Sequence, residues 1–194
     1  LVSSVEYLRH EQEYVLLEDF GIISNGRLGS VNFYTKEKLH NLSKTEVGLT
    51  TQSATSLVLL KLICRHFWKT LPRFTYSPLP QKKDYPSFLL IGDQALKNQK
   101  FTDYTTVDLS ETWKMFTGLP FVFAVLVANK NSYEKKQKEI EDFLIKLRQS
   151  HKWSQQNLYK LSLQAAMQLK LPVSHLQDYF NALSYNLDHD SSSS

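Results

Sequence analysis

The sequence is poor in cysteine, with a single residue of this type among 194. A lone cysteine cannot close an internal disulfide, and it cannot supply the several thiolates of a zinc finger or an iron–sulfur cluster. Cys64 lies in the apolar stretch from Leu57 to Phe67, which favours a buried structural thiol. The chemistry of the protein must therefore come from other side chains.

Other signatures of metal-dependent or covalent catalysis are also lacking. The histidines do not pair at the spacing of a known metal motif; they stand at positions 10, 40, 66, 151, 175 and 189. The two glycines between Asn25 and Ser30 lack the spacing of a phosphate-binding P-loop, and neither a nucleophile elbow nor a Ser-His-Asp set is found. We predict no metal and no cofactor, and the sequence leaves the catalytic residues unknown.

Long apolar runs and a strong charge of one sign are absent as well. The longest apolar run, Leu119 to Ala128, falls short of the roughly 18 residues that suggest a membrane span and fits a core strand. The chain carries 23 basic and 19 acidic residues, a net charge of +4, and its densest basic cluster, Lys135 to Lys138, is mixed with glutamates. We therefore expect a soluble protein that binds neither membranes nor nucleic acid, with a mild preference for anionic ligands.

What the sequence contains is an alternation of strand and helix patterns, which predicts an α/β fold with mixed sheets. Val31 to Tyr34 alternates as a strand, with Val31 and Phe33 on one face. Val47 to Leu49 reads as a short strand, and Phe88 to Ile91 reads as a buried strand. Beyond Asn131 the pattern is helical. Three helices are predicted there, over Tyr133 to Arg148, Ser154 to Lys170 and Ser174 to Tyr185.

Several caps and ends are predicted from local signals. Ser110 is expected to cap the helix that carries Trp113, and Ser174 with Gln177 matches a capping box. Asp93 follows a buried strand, where an N-cap is a more common role than an acid or base. The tail from Asp190 to Ser194 is expected to be disordered.

Two glycine-bearing junctions, near Ser30 and near Gly118, divide the chain. The second belongs to the run Thr117 to Ala124, in which a Gly/Pro turn leads straight into a buried strand. We predict that residues 31–121 form a lobe inserted into a parent lobe made of 1–30 and 122–194, with a ligand bound in the cleft between them. Because the chain opens at Leu1 without a Met, we expect it to begin inside a fold, with the parent lobe incomplete.

A hydroxyl-rich stretch from Thr50 to Ser56 precedes a predicted helix that runs to about Trp68. One hydroxyl is enough to cap a helix. The free N–H groups and the positive dipole end of the helix would attract an anion, and the further hydroxyls could hold a carboxylate or phosphate oxygen. The alternative is a Ser/Thr-rich turn with one cap and no ligand.

Several separated segments resemble one enzyme family, in the right order along the chain. They are Leu1 to Arg9, Ser24-Asn25-Gly26 with Ser30-Val31, Ser53-Ala54-Thr55-Ser56, Leu90 to Leu96, and Trp113 to Ala124. The family is that of the chorismate dehydratases of the futalosine route to menaquinone.

The resemblance implies a two-lobed fold of the type II periplasmic-binding-protein kind. It implies a cytoplasmic hydro-lyase that removes water from chorismate to give 3-[(1-carboxyvinyl)oxy]benzoate, without a metal or an organic cofactor. It also suggests which residues bind the small anionic substrate: Asn25, Ser30, Thr51, Ser53, Thr55 and Ser56.

Two departures from the family pattern bear on function. Ala54 stands where the family usually has Arg, which removes a bidentate partner for a carboxylate. The N-terminal part of the family, which carries an Asn-bearing loop implicated in catalysis, would precede Leu1. We therefore expect the 194 residues alone to have little or no dehydratase activity.

Two other functions fit the same pattern. A non-catalytic binding protein for a small anion is favoured if Ala54 reflects a changed ligand. The naphthoate-forming enzyme of the same pathway shares the fold but lacks the Thr-Gly-Leu-Pro-Phe-Val-Phe run found here. The sequence does not indicate an oligomeric state.

Overall fold

The computed structural model of the chain describes residues 1–98 and 101–187, so the expected disorder of Asp190 to Ser194 lies outside the described residues. The first half of the chain contains most of the strands. Its elements are β1 Val2–Ser3, α1 Ser4–Arg9, β2 Tyr14–Ser24, β3 Val31–Thr35, β4 Glu46–Thr50, α2 Ala54–Leu62, β5 Arg73–Ser77, β6 Ser87–Ile91 and α3 Gly92–Lys97.

The second half of the chain is mainly helical. Its elements are β7 Thr105–Asp108, α4 Leu109–Thr117, β8 Phe121–Asn129, α5 Lys130–Lys135, α6 Gln137–Gln156, α7 Leu158–Leu169, α8 Val173–Ala182 and β9 Leu183–Asn186. Short 3-10 turns lie at Glu11–Glu13 and Leu39–Lys44, and a π-helical turn, Ile63–Phe67, extends α2.

The strands form two sheets. One is antiparallel with the order β1-β8-β2-β9, and the other is mixed with the order β5-β4-β6-β3-β7. In the mixed sheet β4 runs parallel to β5 and β6, whereas β3 runs antiparallel to β6 and β7. The mixed sheet uses strands between residues 31 and 108, and the antiparallel sheet uses strands on either side of that range. The α/β class and the mixed sheet agree with the prediction.

The mixed sheet is covered on both faces, which explains why all five residues of β3 are buried. Val31 and Phe33 belong to a large core with α2, while Tyr34 packs in a second cluster on the other face against Phe88. Cys64 is buried in the large core, where burial raises the pKa of its thiol to about 12. The thiol is therefore protonated at neutral pH and is not a nucleophile.

The C-terminal segment is helical as far as Ala182 but differs in detail from the prediction. The helix predicted from Tyr133 is two helices broken at Lys136, and α6 continues to Gln156. The last helix is followed by β9, which pairs with β2 and was not predicted. The expected capping box is also wrong: α8 begins at Val173 after Pro172 and has no side-chain cap.

The predicted cap at Ser110 is wrong as well, because Asp108 holds that position. The Asp108 carboxylate accepts hydrogen bonds from the backbone N–H groups of Ser110 and Glu111, both at 2.9 Å. Its other oxygen accepts from the N–H groups of Leu28, at 3.0 Å, and Gly29. One buried carboxylate therefore starts α4 and fixes the loop that leads into β3.

The run from Thr117 to Ala124 crosses between the two sheets. Gly118 ends α4 in the left-handed conformation, with φ of 72°, and its N–H donates to the Lys114 carbonyl. The chain then enters β8 of the antiparallel sheet, where Phe121 and Phe123 pack edge to face with centroids 4.8 Å apart. The residues of this run are thus structural.

A tight contact between β2 and β8 gives a stability prediction. A Cβ added at Gly21 would lie 2.5 Å from the backbone carbonyl oxygen of Ala124, which cannot move without disturbing the sheet. We expect Gly21→Ala to lower the free energy of unfolding by about 1–3 kcal/mol, the usual cost of overpacking. Urea denaturation measures this, with the exposed Lys146→Ala as a control that should change stability by less than about 0.5 kcal/mol. Equal stability of the two variants would contradict the close approach.

Candidate functional site at the edge of the mixed sheet

The strand ends of the mixed sheet bring several polar segments to one edge. The parallel strands β4 and β6 end at Thr50 and Ile91, and the antiparallel β3 begins beside Ile91 because Val31 pairs with it. The Ser30 carbonyl accepts a hydrogen bond from the Gly92 N–H at 2.7 Å. The carboxyl ends of parallel strands are the common location of ligand sites in α/β folds.

The N-terminus of α2 lies at this edge, and Ser53 caps it. Its Oγ accepts from the Ser56 N–H at 3.2 Å and donates to the Ser56 Oγ at 3.0 Å. The N–H groups of Ala54 and Thr55 in the first turn have no acceptor within the helix. This end of α2 therefore combines free donors with the positive end of the helix dipole.

Two further hydroxyls at this edge are used to join the helices to β8. Thr55 Oγ1 donates to the Phe123 carbonyl at 3.2 Å, and Ser4 Oγ donates to the Val122 carbonyl at 2.8 Å. The two hydroxyl oxygens are 3.5 Å apart. Thr55 is only 1% exposed. Its hydroxyl holds α2 against the crossing strand, so its contribution to a ligand site is to position the helix terminus.

The remaining predicted residues are placed differently. Thr51 is exposed beside the cap, and its N–H donates to the Ser77 carbonyl at 3.2 Å. Asn25 is exposed in the turn that precedes β3, where the Ser24 hydroxyl donates to the Gly26 carbonyl. The structure thus groups Thr51, Ser53, Thr55 and Ser56 at one helix end, with Ser30 at a neighbouring strand start.

Tyr179, on α8, was missed by the sequence analysis. Burial raises the pKa of its phenol, the nearby Ser30 hydroxyl opposes this rise, and the charges of Tyr185 and Asp93 add to it. Tyr179 therefore reaches Ser30 from the C-terminal segment and remains protonated at neutral pH, as a hydrogen-bond donor. No local sequence signal could have found it, because the contact depends on how α8 packs.

Asp93 does not act as the expected N-cap. The helix α3 starts at Gly92 after Ile91 and has no side-chain cap, so Asp93 lies in its first turn with an exposed side chain. The carboxylate is close enough to Tyr179 to influence the pKa of that phenol.

A cavity of about 420 Å³ adjoins Tyr179 between the loop before β3 and α8. Arg27 and His175 provide cationic or hydrogen-bonding groups on its wall, and Asp178 provides a carboxylate. This volume lies in the usual range of small-ligand pockets.

The described part of the chain contains neither a group of side chains suited to a metal ion nor a helix suited to a membrane. Across residues 1–98 and 101–187, no three His, Cys, Asp or Glu side chains are grouped so that they could hold a metal ion. Over the same ranges, no helix is both long and apolar enough to cross a membrane.

The chain, with its two sheets and the helices around them, has the fold of periplasmic binding proteins. A crystal structure of a protein from Archaeoglobus fulgidus has a TM-score of 0.71 at 16% identity, over 96% of this chain and 71% of that one. A Candida albicans protein described as having the generic periplasmic binding protein fold has a TM-score of 0.55 at 10% identity, over 94% of this chain and 61% of that one. The periplasmic aliphatic sulphonate binding protein of Escherichia coli also has a TM-score of 0.55 at 10% identity, over 93% and 66%.

The chain belongs to the menaquinone biosynthesis family, whose model matches residues 1–194. It is also 38% identical, over 143 residues, to the chorismate dehydratase of Thermus thermophilus. That match covers 64% of this chain and 52% of the relative, so the chain spans about half the length of that curated relative.

Proposed function

We propose that this chain is part of a chorismate dehydratase, a hydro-lyase of menaquinone biosynthesis by the futalosine route. The observation that carries the proposal is the 38% identity to the Thermus enzyme of that name. The free donors at the start of α2 fit a substrate with two carboxylates. The product would be 3-[(1-carboxyvinyl)oxy]benzoate, and the enzyme would work in the cytoplasm without a metal or organic cofactor.

We further propose that residues 31–121 form one lobe and that 1–30 and 122–194 form the other. The division is supported by the two sheets, since the mixed sheet draws its strands from the inner range alone. The substrate would bind between the lobes, where α2 begins and β8 crosses. The hydrogen bond from the Thr55 hydroxyl to the Phe123 carbonyl of β8 joins the two proposed lobes in this region.

In this proposal the site orients a dianion and assists one proton transfer. The elimination breaks a ring C–H bond and a C–O bond, and the hydroxyl leaves with the proton as water. Because the ring becomes aromatic, the reaction is downhill, and orientation with acid–base help is the main requirement.

The N–H groups of Ala54 and Thr55 and the exposed side chain of Thr51 would bind a carboxylate. Ser30, which lies close to Tyr179, would bind a second polar group of the substrate. Asn25 would contact the substrate from the turn that precedes β3.

A direct test is to incubate chorismate with the 194-residue chain and with a chimera. The chimera joins the part of the Thermus dehydratase that precedes its match to the front of Leu1. We expect the chimera to form the aromatic product and the 194-residue chain to form little or none. Absence of product from a folded chimera that still binds chorismate would overturn the proposed reaction.

Ala54 favours one alternative, a non-catalytic binding protein for a small anion. The side chain is exposed at the first position of α2, where the family pattern has Arg, and cannot form a bidentate pair with a carboxylate. Chorismate recovered unchanged from a stable complex with the chimera would support this alternative.

A further inference from the structure

Two cavities meet on the C-terminal half of α6, away from the start of α2. Their volumes are about 460 Å³ and 350 Å³, and both are lined by His151, Gln155 and Tyr185. The shared residues place the two cavities side by side between α6 and β9, and we call the pair the α6–β9 groove. None of its lining residues belongs to the hydroxyl-rich edge of the mixed sheet.

Three aromatic rings from three different elements form the wall of the groove. Phe20 and Tyr185 lie nearly parallel, with centroids 5.9 Å apart and an angle of 22° between their planes. The His151 ring stands edge-on to both, at 5.9 Å from Phe20 and 5.4 Å from Tyr185. Such distances are typical of favourable aromatic pairs, and a planar guest can add to the cluster in the same geometry.

The wall is held in place by the fold. Phe20 is opposite Asn186 in the pairing of β2 with β9, which sets Tyr185 beside it. On α6, the Gln155 Nε2 is 3.2 Å from the His151 Nε2, one helical turn away. A hydrogen bond between these two nitrogens fixes the orientation of the imidazole ring. Burial raises the pKa of the Tyr185 phenol, so this residue is an uncharged donor at neutral pH.

The two ends of the groove differ in chemistry. The larger cavity carries the cationic side chains of Arg148 and Lys152 together with the Asn186 amide. The smaller cavity adds the apolar side chains of Leu158, Leu161, Phe180 and Leu183, beside the polar Ser154 and Asn181. A ligand that fits both ends has an anionic group at one end and an apolar body at the other.

We propose that the α6–β9 groove is a binding site for a flat aromatic carboxylate. The ring lies against Phe20, His151 and Tyr185. The carboxylate points to the end that carries Lys152 and the Asn186 amide, and an apolar extension of the ring system enters the smaller cavity. Aromatic walls select a planar ring, and a cation beside an amide donor selects the carboxylate.

The test uses three probes that separate ring from charge. They are 2-naphthoate, which is aromatic and anionic, 2-naphthamide, which is aromatic and uncharged, and cyclohexanecarboxylate, which is anionic without an aromatic ring. Titration calorimetry on the 194-residue chain should show 2-naphthoate binding at least about tenfold more tightly than either of the others. Equal affinity for all three probes, or no binding of 2-naphthoate, would overturn the proposal.

Variants then locate the site. Lys152→Ala should weaken 2-naphthoate binding about tenfold and leave 2-naphthamide binding unchanged, whereas Lys146→Ala on the same helix should change neither.

Tyr185→Ala should weaken the binding of both aromatic probes. Tyr185→Phe, which keeps the ring, should bind them to within about twofold of the unmodified chain. Ser56→Ala, at the start of α2, should have no effect on either probe. Loss of 2-naphthoate binding in Ser56→Ala but not in Lys152→Ala would place the ligand in the dehydratase site and contradict the proposal.

Discussion

Replacing Asp108 by Ala is expected to lower the free energy of unfolding by at least about 3 kcal/mol. The carboxylate accepts four backbone N–H groups, two from the first turn of α4 and two from Leu28 and Gly29. Because Asp108 is only 7% exposed, the donors buried around it would lose their partner without gaining full access to water. Urea denaturation followed by circular dichroism measures the loss.

Two controls separate this effect from a general loss of charge. Asp108→Asn keeps an acceptor oxygen and should lose clearly less stability than Asp108→Ala. Asp103→Ala removes a carboxylate from an exposed position and should change stability by less than about 0.5 kcal/mol. If Asp108→Ala were no more harmful than Asp103→Ala, the carboxylate would not hold the loop and the helix together.

Restoring Arg at position 54 is expected to tighten the binding of chorismate about tenfold or more. The side chain of residue 54 is exposed at the first position of α2, beside the Ser53 cap, so a guanidinium there would reach a ligand held at the helix end. A hydrogen bond to a charged group contributes about 1.5–3 kcal/mol, which exceeds the 0.3–1 kcal/mol cost of a cation at a helix N-terminus. Titration calorimetry of Ala54→Arg against the unmodified chain measures the gain.

The matched controls for this substitution differ in charge and shape. Ala54→Gln adds length without charge and should leave the affinity nearly unchanged. Ala54→Lys adds a charge without the planar fork, so its gain should be smaller than that of Ala54→Arg. Weaker chorismate binding by Ala54→Arg would show that the substrate does not place a carboxylate at the start of α2.

Local patterns in the sequence were sufficient to predict much of the fold. The apolar runs of β4 and β6 predicted strands because burial on both faces requires such residues. The alternation of β3 also predicted a strand, although all five of its residues are buried because the sheet is covered on both faces. A cap by one hydroxyl of the Thr50 to Ser56 stretch followed from its position before an apolar helix, although the sequence did not single out Ser53. Gly118 with Pro120 marked the crossing. These features depend on residues that are neighbours in the chain.

The features that were missed depend on distant partners. Leu183–Asn186 follows a helical pattern and becomes a strand only by pairing with β2, more than 150 residues earlier. Asp108 and Ser110 are both good caps, and the loop at Leu28 and Gly29 favours Asp108 because its second oxygen satisfies donors there. The contact of Tyr179 with Ser30 likewise requires the packing of α8, which the sequence of either segment does not encode.

The position of the ligand is the most direct test of the dehydratase assignment. Backbone amide shifts of the isotope-labelled 194-residue chain should be recorded by NMR while chorismate is added. The account predicts that the largest shift changes occur at the amides of residues 53–56 and at Ser30, with smaller changes at Tyr179. Shift changes confined to the α6–β9 groove, or changes that leave residues 53–56 unaffected, would contradict a substrate site at the start of α2.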